Sequence, residues 1–215
     1  RGGHLEEAAL LRLELLDLLS QGPRTVEALA RQTGHSVATT SHHLQVLRRA
    51  RLVEGEKAGL YVTYRVADPG VEEFFLSLRG LAESRLAEVQ QVTRQYLDER
   101  GALEPVDNDE LVRRVLAGEV TLIDVRPREE YEAAHIPGAI SVPLAELSKR
   151  AGALPKRRDI VAYCRGPYCV MALDAVDLLR RKGFRAHRLE RGVPEWRAQG
   201  WRVDTGDDRP AGGRP

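Results

Sequence analysis

DIVAYCRGPYCVMALDAVDLLRRK, residues 159–182, joins an apolar run, a short loop holding both cysteines of the chain, and an amphipathic segment. Ile160, Val161 and Ala162 read as a buried strand. Val170, Leu173, Val176, Leu178 and Leu179 recur at helical spacing until Gly183 ends the segment. Cys164 therefore sits at the C-terminal end of a strand, facing a helix N-terminus. Backbone N–H groups of such a loop, with the positive end of the helix dipole, cradle an anion and favour thiolate over thiol. These residues predict a nucleophile at Cys164, with Arg165, Gly166, Pro167, Tyr168, Cys169 and Val170 forming the cradle around its substrate.

Outward from that stretch, composition sets limits. A chain of 215 residues with 42% hydrophobic content suits two domains of roughly 100 residues each. Two cysteines make neither a disulfide framework nor a four-thiolate zinc site. The first residues lack the apolar core of a signal peptide, and no run is long enough for a membrane helix. The expectation is a cytoplasmic protein with no membrane partner. The net charge of +1 hides an asymmetry: residues 24–65 carry seven basic and three acidic groups, whereas residues 66–100 carry four and seven. A basic patch in the first half is what a nucleic-acid partner requires.

In that half, Leu10 to Leu19 form a leucine-rich helix ending at Gln21-Gly22-Pro23. A second helix follows the N-cap candidate Thr25 and stops at Thr33-Gly34-His35. A third runs from Ser36 to Ala50, with Val37, Ser41, Leu44 and Leu47 expected on its inner stripe. Its outer stripe is Ala38, Thr39, His42, Gln45 and Arg49, small or hydrogen-bonding residues suited to base edges, while Arg48, Arg49 and Arg51 stand where phosphates would be met. Two strand-like runs, 52–57 and 60–66, form a hairpin with its tip at Lys57 to Gly59. The DNA-contacting set is thus Ala38, Thr39, His42, Gln45, Arg48, Arg49 and Lys57.

The segment SVATTSHHLQVLRRARLVEGEKAGLYVTYRVAD resembles the recognition helix and wing of ArsR-type winged-helix repressors, over roughly residues 10–98. The resemblance implies binding to operator DNA as a homodimer through the first and last helices, released by an inducer. The last helix would be Val71 to Glu99, with an apolar stripe that includes Phe74, Phe75, Leu78, Leu81, Val89, Val92 and Tyr96. The cysteine and histidine positions of metal-sensing members are not reproduced, and His35, His42 and His43 lack thiolate or carboxylate companions, so these three read as DNA-facing or core residues.

Gly101 to Asp107 is a short linker. Beyond it strand-like and helix-like runs alternate, which argues for a parallel sheet covered on both faces. LIDVRPREEYEAAHIPGAISVPL (122–144) and RLERGVPEWRAQGW (188–201) are similar to the opening and closing segments of the rhodanese family. The resemblance implies that Cys164 accepts a sulfane sulfur from a donor and passes it to a thiol or cyanide acceptor, with Asp124 and Arg126 as structural supports and His135 in a turn. The sulfur-transfer mechanism so implied requires no metal and no organic cofactor. The expected architecture is multidomain: an all-α, winged helix-turn-helix DNA-binding and dimerisation domain over residues 1–100, and an α/β rhodanese-like domain over residues 109–205. Three functions follow: a regulator sensing reactive sulfur, a sulfurtransferase with autoregulatory DNA binding, and, more remotely, arsenate chemistry. Cys169 is a candidate resolving thiol in the first of these, or else a residue packed under the helix.

Overall fold

The computed structural model describes residues 2–85, 108–167 and 169–206. The chain divides after Leu81 into two compact units. The linker 101–107, the continuation of the 71–99 helix past Arg85, and Tyr168 lie outside the described residues.

In the first unit α1 (Gly2–Ser20) is followed by β1 (Arg24–Thr25), α2 (Val26–Thr33), α3 (Val37–Arg49), β2 (Val53–Ala58), β3 (Tyr61–Val66) and α4 (Pro69–Arg85). Local chemistry sets the boundaries. The Thr25 hydroxyl accepts the Ala28 N–H at 3.3 Å, Ser36 accepts that of Thr39 at 3.1 Å, and Gly34 closes α2 at φ 70°. Ahead of α4, the Asp68 carboxylate accepts the N–H groups of Gly70 and Val71. One buried cluster, including Leu15, Leu29, Leu44, Leu47, Val53 and Tyr64, holds α1 to α3 and the hairpin together.

Three details of this unit differ from the sequence reading. The seam of α3 is Thr40, Leu44 and Leu47, while Val37 is exposed and Ser41 half-buried. Val37 starts the helix, and its turn extends past the cluster, whereas Thr40 stands one turn before Leu44. The hairpin turns at Gly59-Leu60 rather than at Lys57–Gly59, because Ala58 still pairs with Tyr61 and Gly59 supplies φ 62°. A third strand, β1, pairs antiparallel with β3.

The second unit contains α5 (Asn108–Leu116), β4 (Thr121–Asp124), α6 (Arg128–Ala133), β5 (Ile140–Ser141), α7 (Leu144–Arg150) with a 3-10 turn at Ala151–Ala153, β6 (Ile160–Tyr163), α8 (Val170–Arg181), β7 (Ala186–Arg188) and α9 (Val193–Ala198). Its four-stranded sheet, ordered β5-β4-β6-β7, is parallel throughout. All residues of β4 and β6 are buried, as strands covered on both faces must be. Ile123, Ile160, Ala162, Val176 and Leu179 fill one face, beneath α7 and α8. Leu122, Val161, Tyr163, Leu111 and Trp196 fill the other, beneath α5, α6 and α9. The chain steps from β4 outward to β5 and then returns to β6 on the opposite side. The crevice at the C-terminal ends of β4 and β6 is thus the switch point where open α/β sheets bind ligands.

Candidate functional site

That switch point is occupied by the loop 164–170. Cys164 follows the last residue of β6 and is buried, whereas Cys169 is half-exposed and caps α8. The thiol of Cys164 points to the carbonyl oxygen of Cys169 at 3.4 Å, and the Cys169 N–H donates to the carbonyl of Gly166 at 3.2 Å, so the loop closes on itself. Gly166 adopts φ 131°, a conformation open to glycine, which permits the reversal. The two thiols lie close enough to shift one another's ionisation.

This pair titrates as a unit. Burial pushes the Cys164 thiol far above the usual thiol range, and its hydrogen bond with Cys169 adds to this, outweighing the N–H groups of Ala172 and Arg165 aimed at it. Cys169 moves the other way, lowered to about 6, first by the hydrogen bond from Cys164 and then, against its own burial, by the N–H groups of Arg165 and Met171 and the charge of Arg165. Both shifts favour negative charge on Cys169 over Cys164. The sequence points to Cys164 for that charge, but the strand end carries Cys164 into the core while Cys169 stays at the rim beside the helix N-terminus. Alkylation of Cys169 should accordingly rise through a midpoint near pH 6. In Cys164→Ala, which removes the largest cause of that lowering, the midpoint should move up toward the ordinary thiol range. An unmoved midpoint in iodoacetamide rate profiles would show that the sulfurs are not coupled.

Three segments hold the loop, beside a buried ion pair that follows β4. After β4, the buried Arg126 clasps the buried Asp124, with Nε–Oδ1 at 3.0 Å and Nη2–Oδ2 at 2.6 Å, and Nη2 also donates to the Ala134 carbonyl at 2.7 Å. Arg165 turns away from the mouth of the loop onto the buried carboxylate of Glu130, with Nη2–Oε1 at 2.5 Å and Nε–Oε2 at 3.1 Å. Arg188, at the end of β7, donates to the Pro167 carbonyl at 2.8 Å and pairs with Glu190 at 2.5 Å. Gly192 lies flat against the loop: a Cβ there would stand 2.8 Å from both the Cys164 oxygen and the Arg165 carbonyl carbon. Glu195 accepts the Gly192 N–H at 2.8 Å, and its other oxygen lies 2.9 Å from where a Cβ of Gly166 would be.

Of the residues read from sequence as the cradle, the structure brings Cys164, Arg165, Gly166, Pro167, Cys169 and Val170 into one loop, with Tyr168 outside the described residues. Arg165 contributes its backbone to the sulfurs while its guanidinium is bound by Glu130. Glu130, Arg188, Gly192 and Glu195 were missed. The 122–144 and 188–201 segments contain all four, but no local pattern shows that they meet the 164–170 loop. His135 is buried, stacked on Tyr131 at 3.8 Å and bonded through Nδ1 to the Tyr131 carbonyl, a place in the turn.

A second candidate surface lies on the first unit. Ala38, Thr39, His42, Gln45, Arg48, Arg49 and Lys57 are all exposed. Gln45, Arg48, Arg49 and Lys57, with Ser41 and Tyr64, line a cleft of about 660 Å³ between α3 and the hairpin. His43 faces inward instead. Its imidazole pKa is lowered by burial and then by His42, Arg12 and His35. Among the described residues no group of three or more His, Cys, Asp or Glu side chains is arranged to hold a metal ion, and no helix is long and apolar enough to cross a membrane.

A parallel sheet with a dithiol loop at its switch point, in one chain with a winged helix-turn-helix, defines a two-module protein of regulatory type. Residues 107–199 match the rhodanese-like domain, and residues 11–55 match the arsR family of bacterial regulatory proteins. The chain is 48% identical over 195 residues, 91% of its own length and 85% of the relative's, to the HTH-type transcriptional regulator Rv0324 of Mycobacterium tuberculosis. It is 31% identical over 97 residues, 44% of its length and 89% of the relative's, to a sulfurtransferase of Allochromatium vinosum. Among solved structures it is similar to the homodimeric winged helix-turn-helix DNA-binding domain Mb0332 of Mycobacterium bovis, with 38% identity, 38% of this chain and 77% of that chain covered, and a TM-score of 0.35. The chain belongs to the arsR family of bacterial regulatory proteins and carries a rhodanese-like domain.

Proposed function

We propose that this chain binds operator DNA and senses reactive sulfur, with Cys164 accepting a sulfane sulfur in the rhodanese-like domain. The observation that carries the reading is the second thiol: the loop folds Cys169 onto Cys164, whose thiol bonds the Cys169 carbonyl at 3.4 Å, and the Cys169 thiol is held below the usual thiol range. With a hydropersulfide donor, the Cys164 sulfur attacks the sulfane sulfur, its proton passes to the Cys169 thiolate, the donor S–S bond breaks and the donor thiolate leaves. The product is a Cys164 hydropersulfide lying beside the N–H groups of Arg165 and Ala172. Cys169, once deprotonated, then attacks the inner sulfur, forming a Cys164–Cys169 disulfide and expelling hydrosulfide. Two thiols are oxidised as the sulfane sulfur is reduced, so the donor is itself the oxidant, and a thiol reductant reverses the state.

The regulator reads DNA through residues 1–100, as a homodimer. Support comes from the exposed set on α3 and the wing, and from the exposed apolar residues Leu10, Leu13, Phe74, Leu78 and Leu81 on α1 and α4, a surface suited to a second copy. The 109–205 module supplies the signal, and a reducing cytoplasm suits its free thiols. Sulfur loading changes operator affinity only by the difference in affinity between the two loading states. A gel-shift titration with and without a polysulfide donor tests this: wild type should change its operator affinity about 5-fold or more and Cys164→Ser should not. Equal affinity in wild type under both conditions removes the sensing claim.

A second reading, an enzyme that moves sulfur from thiosulfate or a persulfide to thiol or cyanide, is favoured by the similarity to the Allochromatium sulfurtransferase over 89% of that protein. Multiple turnovers with a thiol acceptor would support it, whereas a sensor needs one loading event per signal.

A further inference from the structure

The charges around the 164–170 loop are unevenly placed. Arg165 is the sole basic residue of the loop, and its guanidinium is engaged on both oxygens of the buried Glu130. The nearby Arg188 is engaged by the Pro167 carbonyl and by Glu190. Against the loop backbone itself lies the carboxylate of Glu195, held by the Gly192 N–H and packed on Gly166. The loop thus offers backbone N–H groups to an incoming donor, while both guanidinium groups beside it already face carboxylates.

We propose that Glu130 and Glu195 make this loop selective for sulfane sulfur carried by uncharged or singly charged donors, hydropersulfides and short polysulfides, over the thiosulfate dianion. The proposal rests on the reading of Cys164 as the sulfur acceptor. The balance of the step shows why charge decides. With a hydropersulfide RS–SH, the Cys164 thiol and the Cys169 thiolate yield a Cys164 hydropersulfide, a Cys169 thiol and RS⁻, so the single negative charge already present simply leaves on the donor thiol. With thiosulfate the same attack breaks the S–SO₃ bond and yields a Cys164 persulfide anion, a Cys169 thiol and sulfite dianion. Two anionic products must then separate beside the Glu195 carboxylate, while the Arg165 guanidinium is held on Glu130. Glu130 acts by holding the Arg165 guanidinium, and Glu195 by a carboxylate packed on the loop backbone, so both set specificity without touching the reacting sulfur.

The experiment uses the reduced full chain, with 2-hydroxyethyl hydropersulfide and thiosulfate as the two probes, and follows by intact mass the loss of the reduced chain to the persulfide, one sulfur heavier, and to the Cys164–Cys169 disulfide, two hydrogens lighter. Wild type should load from the hydropersulfide about 100-fold faster or more. Glu195→Gln keeps an oxygen to accept the Gly192 N–H and removes the charge. It should narrow the ratio between the donors about 10-fold, with a weaker dependence of the thiosulfate rate on ionic strength. Glu130→Gln, which releases the Arg165 charge, should shift the ratio the same way. If that variant does not fold, Glu195→Gln decides alone. Equal rates from the two donors in wild type, or a donor ratio unmoved in Glu195→Gln, overturns the selectivity while leaving sulfur acceptance standing. Failure of both donors to load wild type overturns the acceptor reading, and the selectivity with it.

Discussion

Asp124→Ala should destabilise the second unit by about 3–5 kcal/mol, the cost of leaving a buried charge without its partner. Arg126 and Asp124 are each fully buried, joined through both guanidinium and backbone donors, with the guanidinium also over the Tyr163 ring at 5.6 Å. Burial opposes the charge on Arg126 and the neighbouring carboxylate outweighs it; with Asp124 removed, the guanidinium's own basicity keeps it charged in the core. Its remaining carbonyl partner, Ala134, supplies no countercharge. Both tryptophans of the chain, Trp196 and Trp201, lie in this unit and pack edge to face, so intrinsic tryptophan fluorescence follows its unfolding alone. Urea titration of the full chain should show the transition moved to lower denaturant. The double variant Asp124→Leu/Arg126→Met, which removes both charges, should recover most of the loss. A single variant costing less than about 1 kcal/mol would mean that the pair is solvated in solution.

The second large effect falls on chemistry. Gly192→Ala should slow sulfur loading of Cys164 about 100-fold, the scale expected when a reacting group is displaced by an ångström. Gly192 has φ −91° and ψ −169°, backbone angles open to alanine, so the substitution meets no backbone strain. The obstacle is contact: the added methyl would stand 2.8 Å from the Cys164 oxygen and the Arg165 carbonyl carbon. Both atoms belong to the backbone of the reactive loop, and neither can swing aside as the end of a side chain can. The loop must move, and with it the N–H groups aimed at the two sulfurs. Loading followed by intact mass reads the effect, and the fluorescence transition reports any accompanying loss of stability. An unchanged loading rate would show that the loop tolerates displacement.

What the sequence alone determined was whatever neighbouring residues decide among themselves. Apolar spacing placed the strand before Cys164 and the helix after it, Thr25 announced its helix by side-chain capping, and the outward face of α3 from Ala38 to Arg49 followed from its period. The opening and closing motifs around the cysteine loop were visible for the same reason, as runs of contiguous residues. Only the tertiary structure decided how deep each of these lies and what it meets. Val37 and Thr40 are separated by three positions, and which one enters the core depended on where α1 and the hairpin lie. The Glu130–Arg165 pair spans 35 residues and the Arg188–Pro167 bond 21, distances over which no residue pattern signals a partner. The placement of the thiolate belongs to the same class: the sequence brings two cysteines near one helix end, but desolvation acts through the whole of the surrounding packing, and it is this that drives the charge off Cys164 and onto Cys169.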